Sequence, residues 1–190
     1  MRAFLRTLTL LAGMCVCCLA ALAQVTPLPD FHLSSMDGSP ISSHDLGTNG
    51  HWIILYVHTN CRPCNTALAQ LKLLSDTSQS SANGTPVDLS KSLVVIVQED
   101  KADVINDMIS QYPWLKSGHW YVDDSHEAYS ALHLTGSPTL LALQGSSIVW
   151  KLSGITSNPG RVNEMVMQWM RSTPPARAAT KHPVQGSAQF

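Results

Sequence analysis

Trp52-Ile53-Ile54-Leu55-Tyr56-Val57, followed after His58-Thr59-Asn60 by Cys61-Arg62-Pro63-Cys64, is the stretch on which the reading of this chain turns. The run from Trp52 to Val57 shows no polar alternation, which predicts a strand in a sheet covered on both faces. Beyond the cysteines, Ala67, Leu68, Leu71 and Leu74 recur at three- and four-residue spacing and predict one buried helix face. The two thiols therefore stand at a strand-to-helix junction. A sulfur there meets unpaired backbone N–H groups and the positive end of the helix dipole, both of which favour thiolate over thiol. Arg62 adds a positive charge beside Cys61, and Pro63 falls in the first turn, where a missing N–H costs no helical bond. Cys61 is read as the attacking thiol. Cys64, one turn further in, is close enough to displace a mixed disulfide and is read as the resolving thiol.

The chain has 190 residues and a formal charge of −1. Its start resembles a secretory signal: Arg2 and Arg6 form the basic end, Leu8 to Leu22 is almost wholly apolar, and Ala21-Leu22-Ala23 fits a small-x-small cleavage site. Residues 1–23 are expected to leave as a signal peptide. The competing reading is a retained membrane anchor, since Thr7 to Ala23 is uncharged. Cleavage removes Cys15, Cys17 and Cys18, leaving Cys61 and Cys64 alone, so no stabilising disulfide framework is predicted. A bridge across two residues closes almost no loop, so its use is chemical rather than structural. The remaining 167 residues carry a formal charge of −3 and suffice for one domain. No basic field points to nucleic acid.

Outward from the cysteine junction, Pro27 to Leu33, the turn Asp37-Gly38 and Ile41 to Leu46 predict an N-terminal β-hairpin extension. Ser75 to Ser92, rich in Ser, Asn, Gly and Thr, is expected to be an exposed connection. Leu93 to Val97 forms a second apolar strand, and Val104, Ile105, Met108, Ile109 and Tyr112 mark a second amphipathic helix. A short strand near Trp120-Tyr121-Val122 and a brief helix from Ser125 to Leu132 follow. Thr139 to Leu143 and Ser147 to Leu152 form a hairpin, and Val162, Met165, Val166 and Trp169 face inward from a last helix. The domain is expected over 24–171, with 172–190 a disordered tail.

With Cys61-Arg62-Pro63-Cys64 on its junction and Gly136-Ser137-Pro138-Thr139 entering a late strand, the chain resembles the thioredoxin superfamily, in its exported TlpA/ResA-like branch. The resemblance runs from about Pro27 to Trp169. It implies the α/β thioredoxin fold, a central mixed β-sheet flanked by helices, and catalysis of thiol–disulfide exchange by Cys61 and Cys64 as a redox-active disulfide. It further implies a cis peptide bond before Pro138. Ser137 and Pro138 would lie against the cysteine pair and bind an extended substrate segment through Ser137 backbone groups.

Three positions depart from the family. Asn60 stands where thioredoxins carry Trp, Leu55 replaces their buried acid, and Ala67 replaces the ResA-like glutamate. Missing carboxylates and the nearby Arg62 favour the reduced thiolate and so an oxidising disulfide. The branch itself is largely reductive, and reduction of exported cysteine-containing client proteins is the expected direction. A periplasmic oxidant or isomerase is the alternative. Expected partners are such clients and a membrane thiol donor or acceptor, in the periplasm, with no organic cofactor because the dithiol carries the electrons. A non-catalytic metal- or partner-binding module is a further alternative. His58 and His133 are its candidate ligands, but no second Cys-x-x-Cys or His-x-His closes a site, and no metal is expected. His58 also has a redox reading, as a cation that would favour the Cys61 thiolate.

Overall fold

The computed structural model describes residues 25–46, 50–79, 87–99, 102–115, 119–155 and 158–172. The expected signal segment, 1–23, lies outside them, as does the expected tail beyond Ser172. Among the described residues no helix is long and apolar enough to cross a membrane.

The strands are β1 (Thr26–Pro27), β2 (His32–Ser35), β3 (Pro40–Ser42), β4 (His51–His58), β5 (Leu93–Gln98), β6 (His119–Val122), β7 (Thr139–Gln144) and β8 (Ser147–Ser153). They form one sheet in the order β1-β8-β7-β4-β5-β6-β2-β3. The apolar strands β4 and β5 pair in parallel, as do β5 and β6, while β7 runs antiparallel to β4. The helices are α1 (Arg62–Gln79), α2 (Leu89–Ser92), α3 (Ala102–Ser110), α4 (Glu127–Ala131) and α5 (Pro159–Arg171). This is the expected central mixed sheet flanked by helices, with its N-terminal hairpin formed by β2 and β3 around Asp37-Gly38. It is the thioredoxin fold.

Strand β4 divides the core, because consecutive side chains point to opposite faces. Ile53, Leu55 and Val57 pack with Leu68 and Leu71 of α1, Ile105 of α3, and Val162 and Val166 of α5. Trp52, Ile54 and Tyr56 pack on the other face with Leu28, Phe31, Leu33 and Leu46 of the N-terminal segment and with Ala128 and Leu132 around α4. Every side chain from Trp52 to Val57 is fully buried. Each such aliphatic residue contributes about 1.5–3 kcal/mol of burial, which is why this run shows no polar alternation.

The N-terminal segment does more than form a hairpin. Thr26 and Pro27 pair with Ile148 and Ser147 at one edge of the sheet, and the chain then crosses the face through Leu28 and Phe31. It emerges to pair Ser34 with Val122 on β6, the outermost of the three parallel strands. It thus covers the sheet face left open by the three longer helices.

The expectation of an exposed connection from Ser75 to Ser92 needs correction at both ends, while its middle, 80–86, lies outside the described residues. Helix α1 continues to Gln79, and α2 begins at Leu89 with Asp88 as its N-cap, accepting from the Ser90 N–H at 3.2 Å. Ser75 and Ser78 are buried, and the Ser78 hydroxyl lies 2.8 Å from the Ser75 carbonyl and 2.9 Å from that of Val87. A serine that satisfies its hydroxyl inside the fold loses the reason for leaving a helix, and burial of Leu74, Val87 and Leu89 outweighs its modest propensity.

Candidate active site

At the end of β4 the chain turns through Thr59 and Asn60 into Cys61, and α1 starts at the next residue. Asn60 has φ +56°, a left-handed conformation that Asn accommodates far better than a bulky residue does. Cys61 occupies the helix-capping position: its carbonyl accepts the N–H of Cys64 at 2.9 Å and that of Asn65 at 3.2 Å, and its sulfur lies 3.2 Å from the same Cys64 N–H donor. Cys61 and Cys64 are joined in a disulfide, with Cα atoms 5.2 Å apart. The sulfur expected at the helix N-terminus is there.

The two cysteines differ in their surroundings. Cys61 is half-buried, whereas Cys64 has no exposed surface and belongs to the apolar cluster containing Leu55, Val57, Ala67 and Leu68. Leu55 and Ala67 are themselves buried, so the surroundings of Cys64 are hydrocarbon at both positions. Burial of this kind favours a neutral thiol, while the helix N-terminus favours a thiolate at Cys61.

Because β7 is antiparallel to β4, its first residue, Thr139, pairs with Tyr56 near the end of β4 that carries the cysteines. The preceding Ser137–Pro138 bond is cis, and the Ser137 carbonyl oxygen lies 4.0 Å from the Cys61 sulfur. Pro138 is buried, and its carbonyl accepts the Gly154 N–H at 3.3 Å. The Thr139 hydroxyl donates to the Gly136 carbonyl at 2.7 Å and closes the loop on itself. Cys61, Cys64, Ser137 and Pro138 therefore converge on one spot.

The histidines do not join them as a metal set. His58 is exposed, and its Nδ1 is hydrogen-bonded to the Thr59 carbonyl. His133 is exposed in the turn after α4, at φ +48°. Among the described residues no three His, Cys, Asp or Glu side chains gather so as to hold a metal ion.

Two acids escaped the sequence reading. Thr59, buried two residues before Cys61, donates its hydroxyl to the Glu99 carboxylate just past β5. Asp123, just past β6, is fully buried. The available signal was topological: an acid that directly follows a strand parallel to the cysteine-bearing strand is delivered to the same end of the sheet, where α/β folds place their chemistry.

A mixed sheet with this order, a Cys-x-x-Cys disulfide capping the first long helix and a cis-proline loop against it define a thioredoxin-fold protein with a dithiol site. Solved structures agree. A secreted disulfide oxidoreductase of Mycobacterium tuberculosis, homologous to E. coli DsbE, superimposes with a TM-score of 0.53 at 12% identity, over 73% of this chain and 95% of that one. A thiol:disulfide interchange protein of the thioredoxin family from Chlorobium tepidum gives 0.53 at 19% identity, over 79% and 99%. The thioredoxin domain of a thiol-disulfide oxidoreductase from Bacteroides vulgatus gives 0.56 at 13% identity, over 79% and 99%. No family profile matches the sequence, and no curated protein matches it.

Proposed function

We propose that this protein is an exported thiol:disulfide oxidoreductase that reduces disulfides of exported client proteins. The observation that carries the proposal is the unequal pair: a half-buried Cys61 at a helix N-terminus, 4.0 Å from the Ser137 carbonyl, bridged to a fully buried Cys64. In the reduced protein the Cys61 thiolate attacks one sulfur of a client disulfide, forming a mixed disulfide and releasing the first client thiolate. The Cys64 thiol, which has no exposed surface, then passes its proton to the client thiolate just released beside it and attacks the Cys61 sulfur, releasing the second client thiolate. Two electrons pass to the client and the Cys61–Cys64 bridge forms. Ser137 and Pro138 line the approach, and the Ser137 backbone offers an extended client segment a strand-like partner. A membrane thiol donor would return the pair to its reduced form. Export rests on the basic and apolar leader within residues 1–23 and on the secreted character of the Mycobacterium tuberculosis neighbour.

A second direction is favoured by one specific observation. Leu55 and Ala67 leave no carboxylate at the positions where relatives place one, so the reduced thiolate is less opposed and the disulfide is the stronger oxidant. The equilibrium potential of the pair in glutathione and dithiothreitol buffers decides between them. A value near −270 mV, the thioredoxin end, supports the reductase, and one near about −120 mV supports an oxidant. Cys64→Ala should trap a client as a mixed disulfide on Cys61, and Cys61→Ala should trap none. Absence of any reversible two-electron transition would overturn the redox reading in both directions.

A further inference from the structure

Asp123 is the only acidic residue among the described residues that is fully buried. A carboxylate in that position is costly unless its oxygens are well paired. Here three donors meet it: the Tyr56 hydroxyl at 2.7 Å, the Ala128 N–H at 3.1 Å and the Tyr129 N–H at 2.9 Å. Its own N–H continues the sheet by donating to the Val97 carbonyl at 2.9 Å. One side chain thus joins the end of β6, the cysteine-bearing end of β4 and the start of α4. Capping a five-residue helix would need far less, and an exposed Ser or Asn at the cap would serve.

Both ends of the loop that faces Cys61 lead back to this carboxylate. Upstream, Tyr129 donates its N–H to Asp123 and accepts the Leu134 N–H at 3.1 Å, so Leu134 is one residue-link from the acid. The Lys151 ammonium of β8 holds the intervening turn by donating to the carbonyls of Leu132 and His133 at 3.1 and 3.0 Å. Downstream, Tyr56 donates to Asp123 and pairs across the sheet with Thr139. Residues 134–138 are suspended between these two anchors, with the Ser137 carbonyl 4.0 Å from the Cys61 sulfur. The anchor lies on the sheet face opposite α1, since Tyr56 packs with Phe31 and Ala128 while Cys64 packs with Leu55 and Ala67.

We propose that Asp123 and Tyr56 are a positioning pair that holds the 134–138 loop at Cys61, so that an extended client segment, but not a small disulfide, depends on them. The proposal rests on the exchange activity proposed above. Removing the Tyr56 hydroxyl loosens the loop without touching either sulfur, and a misplacement of about 1 Å is expensive for a reaction that needs positioned partners.

The test uses the full chain and its Tyr56→Phe and Asp123→Asn variants. Second-order rates are measured with a disulfide-bridged peptide and with 5,5′-dithiobis(2-nitrobenzoate), together with the potential of the pair and amide hydrogen exchange over 134–138. For Tyr56→Phe the ratio of peptide rate to small-disulfide rate should fall about fivefold or more, the potential should hold, and exchange in the loop should quicken. Asp123→Asn should move the same readouts further. If it does not fold, Tyr56→Phe carries the test alone. An unchanged ratio, or a shifted potential, would overturn the proposal, the latter because it would mean the pair acts on the sulfurs. Hydrogen exchange separates this failure from that of the catalytic reading. If the wild-type chain exchanges no disulfide at all, the function falls, while unchanged loop protection in Tyr56→Phe refutes the positioning role by itself.

Discussion

The sulfur of Cys61 lies 4.0 Å from the carbonyl oxygen of Ser137, a residue 76 positions further along the chain. That approach puts a backbone hydrogen-bond acceptor beside the half-buried sulfur of the pair, while Cys64 has no exposed surface. The first consequence concerns reactivity. In the reduced protein Cys61 should alkylate with iodoacetamide faster than Cys64 at every pH. Its rate should rise with a midpoint below the roughly 8.5 of a free cysteine, while the Cys64 midpoint lies above it. Peptide mapping by mass spectrometry after timed quenching reads both. Equal rates would contradict the asymmetry described for the site.

Ala67 is buried against Cys64, at the position where a glutamate stands in the branch this chain resembles. Ala67→Glu places beside Cys64 a carboxyl that, where it ionises, opposes a thiolate nearby and so favours the disulfide. The potential of the pair should become more negative, by on the order of 30 mV for each tenfold change in the exchange constant. The chain should also lose a few kcal/mol of stability, because the new group is larger and polar in an apolar site. A potential that moves in the positive direction would refute the electrostatic argument.

Burial first, and then the hydrogen bond to Asp123, hold the Tyr56 phenol well above the ordinary tyrosine range. Burial also raises Tyr112 and Tyr121. A group whose folded pKa exceeds its unfolded value contributes its full stabilisation below the unfolded pKa, about 10 for tyrosine, and loses it as pH rises further. Thermal melting should therefore be flat in this respect up to pH 10 and fall above it. Tyr56→Phe should melt lower at pH 7, having lost a buried hydrogen bond, and decline less steeply in alkali. Circular dichroism melts from pH 7 to 11 check both parts.

The Ser78 hydroxyl, buried between the carbonyls of Ser75 and Val87, ties the end of α1 to the segment entering α2. Ser78→Ala should cost about 1 kcal/mol, read as a lower denaturation midpoint with an unchanged slope. The potential of the cysteine pair should not move, since Ser78 lies in a later part of α1 than the sulfurs.

The tryptophan-to-valine strand, the helix after the cysteines, the later hairpin and the last helix were all legible from periodicity, because each buries a face or a whole element and composition records that burial. The same holds for the cysteine pair: Cys61-Arg62-Pro63-Cys64 at a strand-to-helix junction carries its electrostatics in the local backbone. The serine-rich stretch misled for the opposite reason. Ser75 and Ser78 are polar by composition, yet their hydroxyls find partners inside, and no local pattern reports such a partner.

Local sequence encodes the pieces: a buried strand, two thiols on a helix N-terminus, a Ser-Pro before a late strand and the apolar faces of the helices. These depend on interactions within a few residues. That Ser137 meets Cys61, that the N-terminal segment spans the sheet from β8 to β6, and that Asp123 takes its proton donors from β4 and α4 emerge only in the folded chain. Those relationships follow from strand order and direction, which arise when distant apolar faces find one another, and a one-dimensional pattern does not record which faces meet.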